Sequence, residues 1–180
     1  LRSFLSMLGA RSDSFCVSTG YPSLDQYLKG GFHSGQLITI GARPSIGKTA
    51  FAISLIRNML ERDKKILFFS LERSSTDIIS RLVTGISGVS LHDISNNDAS
   101  DEFPKVMSAV GYLYDKSLYI VDIPNISIEA LLDITRAAVT EKHVNCILID
   151  HFRLIKGIEF SLDKYERATR KLKELALWMT

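Results

Sequence analysis

Apolar positions along this chain fall into two kinds of run. Four are nearly continuous in Ile, Leu, Val and Phe: "QLITIGA" (36–42), "KKILFFSLE" (64–72), "SLYIVDIP" (117–124) and "VNCILIDHFRLI" (144–155). A strand with one wet face alternates, so unbroken runs predict central strands of a parallel sheet covered on both faces. Between them the spacing turns helical. Phe51, Leu55 and Met59 recur every four residues beside Ala52, Ile56 and Leu60, predicting an amphipathic helix from near Lys48 to about Arg62. "SSTDIISRLVTGISG" predicts a second, with Ser74 or Ser75 as N-cap and glycines at its far end. "SIEALLDITRAAVTEK" predicts a third, capped by Ser127 with Glu129 in its first turn. The stretch 89–116 carries Asn-Asn-Asp and a proline, and reads as a short helix, a turn and a longer helix. From Asp163 on, Tyr165, Ala168, Leu172, Leu175, Ala176 and Met179 mark a last amphipathic helix. Strands alternating with crossover helices make the fold class α/β.

Size and composition narrow this to one soluble domain. A chain of 180 residues supports one full core and not two, and 46% apolar against 23% charged residues is an ordinary globular balance. A net charge of +2 announces neither a nucleic acid nor a membrane surface by itself. Cys16 and Cys146 have no metal-ligand spacing, and Cys146 lies in an apolar run, which points to a reducing, cytoplasmic protein. The apolar runs are far shorter than the roughly 20 residues of a membrane helix, and no signal-peptide pattern opens the chain.

The chemistry concentrates where the first apolar run gives way to the first helix. Ala42 to Thr49 meets the pattern Gly/Ala-x-x-x-x-Gly-Lys-Ser/Thr between a predicted strand and a predicted helix. Its first position is Ala42, with Gly41 one residue early. In such a loop, Ala42, Arg43, Pro44, Ser45, Ile46, Gly47, Lys48, Thr49 and Ala50 wrap phosphate. The backbone N–H groups of 45–49 and the positive end of the helix dipole face its oxygens. Gly47 permits close approach, Lys48 bridges the β- and γ-phosphates of a nucleotide, and the Thr49 hydroxyl reaches Mg2+. Two acids at strand ends complete the set. Asp150 closes "CILID", where parallel sheets bind ligands, and there it holds the magnesium, usually through water. Glu72 closes "FFSLE" and is placed to orient and deprotonate an attacking water. Either acid also has a plainer reading, Asp150 as a turn cap and Glu72 as an acid at a helix N-terminus.

In order, "STGYPSLDQYLKGGFHSGQLITIGARPSIGKTAFAISL", "ILFFSLE", "LYIVDIPNISIEALLDITR", "CILIDHFRLI" and "YERATRKLKELAL" resemble the ATPase domain of DnaB-type replicative helicases, from about Cys16 to Thr180. "ARPSIGKTA" is the most specific segment, because that family uses alanine first and Arg-Pro-Ser inside the loop. The resemblance implies a three-layer RecA-like P-loop fold with a mostly parallel central sheet, here incomplete at the C-terminus. It implies ATP bound between neighbouring subunits of a hexameric ring around single-stranded DNA, with a primase or helicase loader as further partner. By position Lys48 and Thr49 match the phosphate and magnesium residues, Glu72 the catalytic glutamate and Asp150 the magnesium-associated aspartate. The organisation expected is the end of an inter-domain linker (1–14) followed by the N-terminal portion of the ATPase domain (15–180). The family's later DNA loops and arginine finger would lie outside the chain, leaving it able to bind ATP but slow to turn it over.

Three adjacent positions depart from the family pattern. Where that pattern reads Asp-Tyr-Leu-Gln-Leu, this chain has Asp150-His151-Phe152-Arg153-Leu154. Arg153 replaces a neutral amide with a fixed cation that cannot accept hydrogen bonds. His151 reads as a packing residue. Lys156, Lys164, Arg167, Arg170 and Lys171 form a local positive excess, but Glu159, Asp163, Glu166 and Glu174 are interleaved. The helix face therefore reads as solvated, and DNA contact is expected only around Lys156 to Phe160. Three alternatives stand beside the helicase reading. They are a P-loop kinase, for which no arginine-rich lid is visible, a RecA/RadA recombinase, whose loop is richer in glycine, and a non-hydrolysing assembly or primase-docking module.

Overall fold

The computed structural model describes residues 16–90, 102–158 and 162–179. Its elements are β1 (Cys16–Val17), α1 (Pro22–Tyr27), β2 (Phe32–His33), α2 (Lys48–Leu60), β3 (Ile66–Ser70), α3 (Ser75–Ser87) and α4 (Phe103–Tyr114). They continue with β4 (Leu118–Val121), α5 (Ile128–Lys142), β5 (Cys146–Asp150), a 3-10 turn at Phe152–Leu154 and α6 (Leu162–Trp178). The predicted linker 1–14 and the short helix placed early in 89–116 fall largely outside the described residues.

Three of the four apolar runs form one parallel sheet in the order β4-β3-β5. β3 is central, and all five of its residues are buried, as its unbroken apolar sequence requires. Its alternating side chains feed two cores. Leu67 and Phe69 face Leu131 and Leu132 of α5 and Ala168, Leu172 and Leu175 of α6. Ile66 and Phe68 face Leu55, Ile56, Met59 and Leu60 of α2 and Ile78 and Leu82 of α3. Helices thus cover both faces, giving three layers. Each of the fully buried Leu, Ile, Met and Phe side chains among them contributes about 1.5–3 kcal/mol through removal from water.

Helix ends follow the sequence signals closely. Ser74 accepts a hydrogen bond from the Asp77 N–H, and Ser127 accepts one from the Ala130 N–H, so both predicted serine caps form. α3 ends on Gly88 in the left-handed conformation (φ 72°). α4 carries Pro104 in its first turn, where a missing N–H costs nothing. The predicted hydrophobic stripe of α2 packs, with Ile56, Met59 and Leu60 fully buried.

The run 36–42 departs from expectation. No strand forms there among the described residues, and Leu37, Ile38 and Ile40 are exposed by 37%, 41% and 41%. Apolar composition is compatible with a strand but does not make one, because the extended backbone needs a neighbouring ladder for its N–H and C=O groups. Among the described residues β5 is laddered to β3 alone. A small antiparallel pair, β1 with β2, was not legible in the pattern, being two residues a side. It is fastened to α2 by the buried Asn58, which donates to the Thr19 carbonyl at 2.9 Å, and by Tyr21 stacked on Phe51.

Candidate nucleotide-binding site

β5 and β3 run in register, Ser70 opposite Asp150, and the Leu71 N–H donates to the Asp150 carbonyl at 2.7 Å. This pairing brings the two strand ends, with Glu72 and Asp150, to the same edge of the sheet. The loop entering α2 meets them there. Ser45 (φ 63°) and Gly47 (φ 104°) take left-handed conformations that turn the chain through residues 44–46 and start the helix at Lys48. A Cβ on Gly47 would meet no atom closer than the Ala50 Cβ at 4.0 Å. Backbone geometry rather than crowding therefore demands glycine.

Side chains then converge on Asp150. The Thr49 hydroxyl donates to Asp150 Oδ2 at 2.6 Å, and Lys48 Nζ lies 3.9 Å from Asp150 Oδ1. Asp150 is buried at 6% exposure, while the Lys48 side chain keeps a third of its surface open. The aspartate is thereby fixed, and the ammonium beside it stays partly open to solvent. Ala42, Arg43, Pro44, Ser45, Ile46 and Ala50 lie on the exposed face of the same loop and helix start, with the Ile46 N–H bonded to the Arg43 carbonyl at 3.4 Å. The first N–H groups of α2 have no partner within the helix, which leaves donors for an anion.

The donor set suits magnesium. A hydroxyl and a carboxylate oxygen held together are hard ligands of the type this ion takes, usually alongside water and phosphate oxygens. Among the described residues no group of three or more His, Cys, Asp or Glu could cage a metal without such help.

One neighbour was missed by sequence reasoning. His151, expected to be a packing residue, places Nε2 3.8 Å from Glu72 Oε2. The contact forms past the last laddered pair, Ser70 with Asp150, where the chain leaves two neighbouring strands, so no local sequence pattern marks it. Arg153 is exposed on the 3-10 turn, and Phe152 packs edge-on against Tyr165 at 4.9 Å. Of the cations that follow, Lys171 is paired with Glu129 at 2.7 Å. Lys156 is exposed at the edge of the described residues, and the rest of its loop, 159–160, lies outside them. The groove between α3 and α4, about 570 Å³ beside Ile86, Pro104 and Ala109, lies away from this chemistry.

A parallel sheet sandwiched by helices, with a glycine-lysine-threonine loop opening α2 and an aspartate ending β5, defines a P-loop nucleotide-binding domain. Residues 16–179 match the DnaB-like helicase C terminal domain model. The chain belongs to that family, which goes with the helicase reading and not with the recombinase or kinase ones. It is 36% identical over 171 residues to the replicative DNA helicase DnaB of Treponema pallidum, covering 92% of this chain and 39% of that protein. It is 30% identical over 172 residues to the replicative DNA helicase DnaC of Bacillus subtilis, covering 92% and 38%. The chain thus spans well under half the length of these relatives. Among solved structures, one ATPase domain superposes with a TM-score of 0.82 at 25% identity, covering 97% of this chain and 64% of that one. A DnaB-like replicative helicase described with its interactions with primase gives 0.82 at 25% identity, covering 99% and 44%. The RecA-like architecture follows from these neighbours. Among the described residues no helix is long and apolar enough to cross a membrane.

Proposed function

We propose that this chain is the ATP-driven motor domain of a replicative DNA helicase, coupling Mg-ATP hydrolysis at subunit interfaces to movement along single-stranded DNA. The observation that carries the reading is the convergence of Thr49 and Lys48 on Asp150 inside a domain of this family. Magnesium, when bound, polarises the terminal phosphate and screens its charge. The chain supplies the rest. Backbone donors of 45–49 and the Lys48 ammonium bind the β- and γ-phosphates, and the Thr49 hydroxyl and Asp150 hold the metal, Asp150 through water. Ala42, Arg43 and Pro44 shape the outer wall of the loop. Glu72, just beyond the end of β3, orients the attacking water and takes its proton.

The open position of the loop fits a site completed by a second copy, so the active form is read as a homo-oligomer, a hexameric ring in the whole protein. A primase or loader is a further partner, on the strength of the relative described with primase. The place of work is read as the cytoplasm. Strand separation by the full polypeptide, with and without ATP, tests the reading. It fails if ATP hydrolysis is neither stimulated by single-stranded DNA nor abolished by Lys48→Ala.

A further inference from the structure

We propose that His151 is a positioning residue that holds the Glu72 carboxylate in the orientation needed to align the attacking water, through a hydrogen bond from imidazole Nε2. The inference rests on the role given to Glu72 above and goes beyond it by naming what aims that carboxylate.

Glu72 lies beyond the end of β3, with 47% of its side chain exposed. A carboxylate that open samples several rotamers, and a catalytic group must be held within a narrow range of positions by a neighbour that is itself fixed. His151 is such a neighbour. Its backbone is tied down because it follows Asp150 at the end of β5 and its carbonyl accepts from the Leu154 N–H at 3.0 Å. Its side chain is less exposed than that of Glu72, at 30%. At 3.8 Å Nε2 and Oε2 are neighbours outside the roughly 2.7–3.2 Å of an N–H···O bond, so the bond proposed forms by movement of either side chain.

Two cations that could compete for Glu72 are engaged elsewhere. The adjacent Arg73 is committed to Asp77 at 3.1 Å, and Asp77 is also held by Arg81 at 3.0 Å. Lys48 is drawn to Asp150 instead. Nε2 can donate in the neutral imidazole as well as in the imidazolium, so the positioning requires no change of charge.

The test compares His151→Phe, which keeps the bulk and removes the donor, with His151→Gln, whose amide N–H falls near the position of Nε2. Both are made with and without Glu72→Gln, in the full polypeptide as its gene encodes it. Single-turnover and steady-state hydrolysis of Mg-ATP are measured alongside Mg-ADP affinity. His151→Phe is expected to lower kcat about tenfold, as for one lost hydrogen bond to a charged group, with KM and Mg-ADP affinity unchanged. His151→Gln restores most of the rate, and His151→Phe adds no further loss once Glu72 is Gln. A kcat for His151→Phe equal to that of the parent overturns the proposal, as does an equal loss in the Glu72→Gln background. If His151→Phe does not fold, His151→Gln against His151→Asn decides, since Asn places its N–H near Nδ1; equal rates for the two overturn the idea. If Glu72→Gln itself leaves hydrolysis intact, the role of Glu72 falls and the positioning role with it. If Glu72→Gln abolishes hydrolysis while His151→Phe does not slow it, only the positioning role is lost.

Discussion

The Thr49 hydroxyl and Asp150 carboxylate, 101 residues apart in sequence, meet at 2.6 Å. Because Asp150 is buried, removing that donor leaves a charge short of a partner. Thr49→Val, nearly the same shape, is expected to destabilise the fold by about 1–3 kcal/mol, and Thr49→Ser by much less. Urea unfolding measures this; a Thr49→Val protein as stable as its parent would show that the contact carries no weight. The same variant is expected to lose the magnesium dependence of nucleotide affinity.

Lys48 behaves differently because its side chain remains one-third exposed and sits 3.9 Å from its acid. An ion pair that open contributes under about 1 kcal/mol to folding. Lys48→Ala should therefore unfold at nearly the parental temperature while its Mg-ATP affinity, followed by calorimetry, falls at least about tenfold. Retained affinity would remove the phosphate role.

Asp25 closes a local network before the P-loop. It accepts from the Ser18 hydroxyl at 2.6 Å, the Thr19 hydroxyl at 2.7 Å and the Thr19 N–H at 2.8 Å. Burial opposes its charge, yet these bonds outweigh burial and hold the carboxyl below its ordinary value of 3.8. A depressed pKa means that the unfolded chain takes up the proton first, so the stabilisation is complete at neutral pH and is lost as pH falls through and below 3.8. Asp25→Asn should lower stability at pH 7 by about 1–3 kcal/mol and flatten the acid limb of the stability curve. An unchanged acid limb would contradict this.

The thiol of Cys146 packs against the core between β5 and α2, even though the residue as a whole is only half-buried. Burial pushes that thiol up to about 12. Iodoacetamide at pH 8 should leave it unmodified in the folded protein and modify it in urea, as peptide mass mapping would reveal. Since the unfolded thiol ionises earlier, stability should decline as pH climbs from 9 toward about 12, and Cys146→Ala should lessen that decline.

Single-stranded DNA should bind this isolated chain weakly, with an affinity that drops steeply as salt rises, because exposed cations such as Lys156 and Arg153 offer phosphate contacts. A titration showing tight binding indifferent to salt would require base stacking instead.

Much of this was written in the sequence, for identifiable reasons. β3 must be central because "ILFFS" has no polar side for water, and Ser74 and Ser127 had to cap because serine before an apolar helix offers its oxygen to orphan N–H groups. That Lys48 and Thr49 would open a helix was legible from spacing, and that Asp150 would end a strand from the apolar run before it. The pairing of His151 with Glu72 was not, since it depends on which strands lie side by side, a long-range fact that local pattern does not hold. "QLITI" failed in the opposite direction. Its composition states a preference for strand, while the ladder that would satisfy its backbone is a property of neighbours.

Ser70 opposite Asp150 has a mechanical corollary. Asp150 is anchored at the end of a strand laddered to the buried β3, whereas Glu72 stands two residues past its own strand and the exposed loop 42–47 carries no ladder. Movement in the proposed ATP cycle would then be visible as travel of residues 42–47 and of Glu72 against a stationary Asp150.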